Sequence, residues 1–597
     1  MCGIMGYIGD ENAADIIISG LEELEYRGYD SAGLAVGDGE KIMTAKVVGS
    51  PSGLRKEGEG ISGHIGIGHT RWATHGAPTV TNAHPHMSRS GLFTVVHNGI
   101  IENYAELKAE LEEQGFEFRS DTDTEVIAQM LEYLYNGDLK GTVSSALARF
   151  KGSYALGIMC RDYPDCLVCA KLSSPLFAGV SSGCVYLASD VSAIAGKSDR
   201  IFRVNDGEIG ILKKDGLKIF DLDGCRIRKS EIKIKAFDRN SDKGGYKHYM
   251  LKEITEQPAA VRRTLSEFIN ESGRIRFKGL HLTKQEIQSL DQIIFVACGS
   301  AYHVGTVGAY ACEKLCKRHA RAVIASEFRY MHPYLDEKTL VVIISQSGET
   351  ADTLAAMRIA EEKGAKTIGI VNVENSTIAQ ECKNVIMTRA GKEVAVATTK
   401  AYSAQLAVVY ALAIRLAEIS GTLGRSEAAG YVAELKTIPE KIESLLSDIE
   451  KYKPFADIAD SSGYICFIGR GFDYCAAMEA SLKLKEISYI PCEAYAAGEL
   501  KHGTISLIDK NSLTVALCCQ EELKTKTESN VNEVRARDGK TITVSSSDGD
   551  IIIPKTFDIF TPSLEVIPLQ LLAYYTALKR GCPIDKPRNL AKSVTVE

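Results

Sequence analysis

The chain has 597 residues, 45% apolar and 25% charged, ordinary for globular protein, and at ~150 residues per domain it should fold as three or four domains. A formal net charge of −7 with no basic cluster excludes nucleic acid as the main partner. Sixteen scattered cysteines fit a reducing cytoplasm. The N-terminus has no basic-then-apolar signal pattern and no apolar run approaches the ~18 residues of a membrane span, so a cytoplasmic protein with no membrane partner is expected.

The chain opens Met1-Cys2-Gly3-Ile4. Removal of the initiator would make Cys2 terminal, and an α-amino group titrating near ~8 can take the proton of a thiol near ~8.5. That is the logic of an N-terminal nucleophile. Up to about residue 238, short alternating apolar segments such as 63–69 and 92–97 read as strands, and helical periodicity runs through 14–24, 104–114 and 124–134. Helices packed on stacked sheets are expected. Cys166-Leu167-Val168-Cys169 lies in a strand-like run, where residues three apart face opposite ways, and reads as structural rather than metal-binding.

Four polar clusters interrupt these segments, at 26–33, 69–76 with 82–85 close behind, 97–100, and 120–125. Each has a structural explanation when taken singly. Asn98-Gly99 is a hairpin signal. Thr122 and Glu125 form a capping-box pattern, in which Asp123 would favour a helix N-terminus. Arg71 could be a solvated strand end, and His75 and His84 hydrogen-bonded structural histidines.

Together with Cys2, the clusters resemble the class II glutamine amidotransferase domain, an N-terminal-nucleophile glutaminase, over residues 1–238. The resemblance implies that Cys2 attacks the glutamine side-chain amide and that Asn98 and the backbone N–H of Gly99 form an oxyanion hole. Arg71 would hold the substrate carboxylate and Asp123 its ammonium group. Thr74, His75 and Gly76 would line the pocket, with Trp72, the only tryptophan, as its gate.

A polar linker and leading helices fill 239–280. Apolar strands then alternate with helices, which predicts a parallel sheet, and the pattern occurs twice, over 281–425 and 452–584. Segment 293–299 recurs as 465–471, 341–345 as 514–518, and 366–368 as 540–542, a near-constant offset. The copies differ after their second strand. The first reads Ser345-Gln346-Ser347-Gly348-Glu349-Thr350, a set of hydroxyls and a glycine that suits phosphate at a helix N-terminus. The second reads Cys519-Gln520-Glu521-Glu522, whose acidic pair would repel it.

These paired domains resemble the sugar isomerase (SIS) fold. The fold class expected is therefore an α+β N-terminal-nucleophile glutaminase domain followed by two doubly wound α/β SIS domains. The combination implies glutamine and fructose 6-phosphate as substrates, an amino sugar phosphate as product, and no metal or other cofactor. By the resemblance, Ser345, Gln346, Ser347 and Thr350 grip the sugar phosphate, while Ser300, Thr399 and Lys483 lie at the sugar. Glu486 would be the base between carbons 1 and 2, although with Lys483 it could equally be a surface i,i+3 pair. His502 would open the sugar ring from the neighbouring subunit of a homodimer. Lys592, in a tail at 585–597 expected over the sugar, would form a Schiff base. The family usually reads Cys-Gly-Thr-Ser where this chain has Cys298-Gly299-Ser300-Ala301, so Ala301 lacks a hydroxyl the family places near the phosphate. A different sugar-phosphate acceptor, and a non-catalytic sugar-phosphate sensor, are the alternatives to this reading.

Overall fold

The computed structural model describes residues 2–73, 75–232 and 243–595. They form two compact units, Met1–Asn240 with Ala591–Glu597, and Ser241–Leu590. The expected hinge at 238–247 lies partly outside the described residues, as does Thr74.

In the first unit, the described residues build two antiparallel sheets of seven strands each. One runs in the order Arg200–Arg203, Phe177–Ser181, Cys184–Ala188, Gly3–Ile8, Ile65–Arg71, Ser31–Gly37, Ile42–Val48. The other runs Arg226–Ile227, Gly216–Phe220, Glu208–Lys213, Leu167–Leu172, Gly152–Cys160, Phe93–Ile101, His86–Met87. Strand period sorts their side chains into layers. Ile4, Ile8, Ile65, Ile67, Val96, Ala155 and Met159 pack between the sheets. Met5 and Tyr7 face the helix Ala13–Glu23, and Phe93, Val95, Leu156 and Ile158 face the helices Tyr104–Glu113, Thr124–Leu134 and Leu139–Leu147. The order is therefore helix, sheet, sheet, helix. Cys166 and Cys169 fall into the cores on opposite sides of their sheet, as their spacing requires.

The second unit contains two parallel five-stranded sheets of one topology. The first runs His319–Ile324, Gln292–Ala297, Thr339–Ser345, Lys366–Val371, Val385–Met387, and the second Cys492–Ala496, Tyr464–Gly469, Ser512–Cys518, Lys540–Ser545, Ile551–Ile552. The second strand in chain order lies outside the first in both sheets, so each has a topological switch point at its first and third strands. One face of each sheet enters a shared core with the helices Lys400–Ser420, Phe472–Ser488 and Thr561–Lys579. The other faces are covered separately, by Ala325–Tyr330 and Ala351–Glu362 on the first sheet and by Lys524–Arg535 on the second. Burial on both faces explains why these strands read as continuous apolar runs.

One expectation needs correction. The helix Lys400–Ser420 does reach the length and hydropathy of a membrane span, with a mean hydropathy of 1.3 over an 18-residue window. That window is 78% buried inside the protein, so its apolar character is spent on the shared core.

Candidate active site

Cys2 stands at the head of the strand Gly3–Ile8, one residue before the pair Gly3–Thr70. Its sulfur lies 3.4 Å from the backbone nitrogen of Trp72 and 3.7 Å from the Trp72 carbonyl oxygen. Arg71 and His69 share the inward parity of Ile65 and Ile67, and Asn98 that of Val96. The polar side chains thus gather where the apolar layer between the sheets ends. Asn98 and Gly99 are paired inside the strand Phe93–Ile101, opposite Ala155 and Tyr154, so the hairpin reading of Asn98-Gly99 fails. Asn98 Nδ2 donates to the Cys2 carbonyl at 3.0 Å. Gly99 has φ +137°, and a Cβ there would lie 2.0 Å from the Ser153 carbonyl oxygen, so only glycine fits.

Asp123 is buried before the helix Thr124–Leu134 and accepts the backbone N–H of Ile101 at 2.8 Å. The capping box does not form. Glu125 turns back to accept from Ser120 N and Ser120 Oγ, both at 2.7 Å. Arg71 donates to the carbonyls of Gly76 at 2.9 Å, Ala77 at 3.3 Å, and His75. Its terminal nitrogens therefore shape the 75–77 turn, in which Gly76 has φ +80°. Burial pulls the Arg71 pKa below its ordinary value, and the charges of Cys2, Asp123 and Asp30 oppose that pull. The His75 ring meets Tyr104 edge-on at 5.4 Å.

In the second unit, the first helices of the two SIS copies, Gly299–Cys316 and Phe472–Ser488, bring five polar side chains together. Glu479, Lys483 and Glu486 lie at i, i+4 and i+7, on one face. Lys483 Nζ is 2.7 Å from Glu486 Oε2, 3.1 Å from Ser300 Oγ and 3.5 Å from Glu479 Oε1. Glu479 accepts Ser300 Oγ at 2.9 Å and lies 2.8 Å from His303 Nδ1. Lys483 is 1% exposed, which overturns the surface-pair reading. Burial works against its ammonium, but Glu486 and Glu479 outweigh burial and lift its pKa to about 12. The balance favours its ammonium form.

Thr399 precedes the helix Lys400–Ser420. Its N–H donates to Glu393 at 3.0 Å, and its buried hydroxyl makes no hydrogen bond. Glu393 also acts on Lys483, which puts Thr399 on the same side of the site. In the phosphate loop, Ser345 Oγ lies 3.1 Å from Thr350 Oγ1 and accepts Gly348 N at 3.0 Å. Ser347 Oγ accepts Glu349 N at 3.2 Å. The Gln346 carbonyl accepts Asn372 N, and Glu349 is held by Thr377 N and Oγ1 at 2.8 and 2.6 Å. Thr350 opens the helix Ala351–Glu362, so hydroxyls and helix N-terminus converge on one spot.

His502 is exposed, just after the 3₁₀ turn Ala497–Lys501. Lys592 is half-buried and belongs to the first unit, as do all described residues after Leu590. Three residues of these networks were missed. Glu479 sits one turn before Lys483 on the face already recognised, and His303 one turn after Ser300, so extending each helical face would have found both. His69 was legible as a polar residue at an inward strand position beside Arg71.

Comparison with known proteins fits this division. The family model described as SIS domain matches residues 286–415 and 458–580, and that described as glutamine amidotransferase domain matches 43–212. The glutamine–fructose-6-phosphate aminotransferases (isomerizing) of Caldanaerobacter subterraneus subsp. tengcongensis and Clostridium tetani are 47% and 46% identical over 608 residues, covering all of both chains. The solved C-terminal domain of the Francisella tularensis glucosamine–fructose-6-phosphate aminotransferase is 38% identical, with a TM-score of 0.56, covering 58% of this chain and all of that one. The chain belongs to the glutamine–fructose-6-phosphate aminotransferase (isomerizing) family, with a glutamine amidotransferase domain followed by two SIS domains.

Proposed function

We propose that this protein converts fructose 6-phosphate and glutamine to glucosamine 6-phosphate and glutamate, the entry step of amino-sugar synthesis. The Cys2 thiolate attacks the glutamine amide carbon. Its oxyanion is held by Asn98 and the Gly99 N–H, ammonia leaves, and water releases glutamate from the thioester. Arg71 and Asp123 take the two charged ends of glutamine, Trp72 covers the pocket, and Thr74, His75 and Gly76 line it. Lys592 forms a Schiff base at carbon 2 of the open ketose with loss of water, and ammonia, passed internally to the sugar, adds to carbon 2 and displaces the Lys592 amine to give an imine.

Glu486 then moves a proton from carbon 1 to carbon 2, with the Lys483 ammonium 2.7 Å away. Ser345, Gln346, Ser347 and Thr350 hold the phosphate, and Ser300 and Thr399 the sugar. His502, exposed on its own subunit, opens the sugar ring across a homodimer. Every step uses side chains and water. All sixteen cysteines are unpaired, which suits work in the cytoplasm.

The observation that carries this reading is the presence in one chain of Cys2 beside Asn98 and of Ser300 joined to the Lys483–Glu486 pair. The test follows glutamate and glucosamine 6-phosphate together, with and without fructose 6-phosphate. Equal yields that depend on the sugar and vanish in Cys2→Ala are expected. Glutamate without amino sugar would mean a different acceptor.

A further inference from the structure

His69 lies on the strand Ile65–Arg71, fully buried, opposite Ile4 and Gly33 in the two neighbouring strands. Its Nε2 is 2.9 Å from the His97 carbonyl oxygen and 2.9 Å from the Asn98 side-chain oxygen. A carbonyl oxygen cannot donate, so Nε2 must carry the proton. The Asn98 atom facing it must then accept, which makes that atom Oδ1 and turns Nδ2 toward Cys2. The opposite amide orientation would set Nδ2 against the imidazole N–H and Oδ1 against the Cys2 carbonyl oxygen, two repulsive contacts in place of two hydrogen bonds. The orientation of Asn98 therefore follows from His69.

The ring itself is held. His84 stacks on it with centroids 4.0 Å apart and planes 17° from parallel, and His86 meets His84 edge-on at 4.8 Å. His69 Nδ1 is buried and makes no hydrogen bond, as suits a bare lone pair. Burial, aided by Arg71 and the His97 ring against the hydrogen bonds His69 makes to Asn98 and the His97 carbonyl, pushes the His69 pKa down to about 3. Burial likewise carries His84 and His86 well below the ordinary histidine range. The surroundings of all three histidines behind Asn98 favour the neutral ring.

We infer that His69 is a positioning residue of the glutaminase: its Nε2–H locks the Asn98 amide so that Nδ2 is presented to the oxyanion that forms at Cys2. This rests on the oxyanion role of Asn98 proposed above. One N–H of Nδ2 is used by the Cys2 carbonyl and the second is left for the developing charge. Without His69 the amide is free to flip and offer an oxygen to an anion.

The test measures glutaminase kcat and KM in the full-length enzyme with fructose 6-phosphate present, for His69→Leu and His69→Gln. The rate of Cys2 alkylation by iodoacetamide, which forms no oxyanion, is read alongside, and Cys2→Ala is the control. Loss of an oxyanion donor costs about 100-fold or more in kcat. His69→Leu should therefore lose about 100-fold in kcat, with glutamine KM within about threefold and alkylation within about twofold. His69→Gln keeps an N–H at the same reach and should recover most of the kcat. An unchanged kcat in His69→Leu overturns the proposal, and so does equal damage to kcat, KM and alkylation in both variants, the mark of a packing role. Should His69→Leu not fold, nitrogen-15 NMR of ring-labelled wild-type enzyme decides. A neutral Nε2–H tautomer from pH 6 to 9 is expected, and an Nδ1–H tautomer or protonation in that range overturns it. Glutaminase activity surviving in Cys2→Ala would instead defeat the underlying reading of the site.

Discussion

The two SIS copies share strand order, sheet direction and spacing, yet the loops that follow Ser345 and Cys518 are built differently. In the first copy Ala301 sits in the opening turn of the helix that follows the first strand. At the corresponding place the second copy has Asp473, whose carboxylate accepts Cys519 N at 3.0 Å and Gln520 N at 3.4 Å. Those N–H groups correspond to Gln346 and Ser347 in the first copy. The second copy thus satisfies its own anion-binding loop with an internal carboxylate, and its first helix contributes Glu479, Lys483 and Glu486 instead. The same topology thus carries hydroxyls at the loop of one copy and an internal carboxylate at that of the other.

The division of labour can be broken most severely at Glu486. Glu486→Gln removes the carboxylate proposed as the base but keeps the shape, and amino-sugar formation should fall about 10³-fold, as general-base losses do, while glutamate production continues. An equal loss of both products would contradict the separation of roles. Ala301→Asp copies the second copy's carboxylate into the first. Losing charge-assisted contacts to the phosphate should raise the fructose 6-phosphate KM about 100-fold, with glutamine KM in the glutaminase assay unchanged. An unaltered sugar KM would mean that the phosphate does not sit at this loop. Ser347→Ala removes a single hydroxyl, and a KM increase of about tenfold is expected from the same assay.

The smallest effect concerns stability. Asp473 lies against Glu565 and Cys519 in the buried interior. Burial raises the Asp473 carboxyl to about 6, and burial together with Asp473 carries Glu565 well above its ordinary value. A carboxyl raised on folding binds its proton more tightly in the native state. Its stabilising contribution is therefore complete below about pH 4 and is lost as pH rises through about 6, roughly 3 kcal/mol in all. Glu565→Gln should raise Tm by a few degrees at pH 8 and change it little at pH 5. The same Tm difference at both values would rule out a shared proton between the carboxyls.

The doubled sheet was legible because strands buried on both faces appear as apolar runs at a constant offset. Asn98-Gly99 shows the limit of local signals: a dipeptide suited to a hairpin lies instead in a nine-residue strand, where Gly99 takes a positive φ. Likewise Thr122 and Glu125 have capping-box spacing, but Glu125 reaches past Thr122 to accept from Arg119 N and Ser120 instead. Lys483 could be paired with Glu486 from spacing, whereas its burial depends on a helix 180 residues away in sequence, beyond any local pattern. His69 stood in a polar cluster but without a role, because its partner Asn98 belongs to the other sheet.

The most direct measurement supplies amide-nitrogen-15 glutamine, fructose 6-phosphate and an excess of unlabelled ammonium, and reads the isotope in glucosamine 6-phosphate by mass spectrometry. Full nitrogen-15 incorporation, one amino sugar per glutamate, and loss of both products in Cys2→Ala are predicted. Amino sugar carrying unlabelled nitrogen, or glutamate formed with no amino sugar, would contradict internal transfer from Cys2 to the site at Lys483 and Glu486.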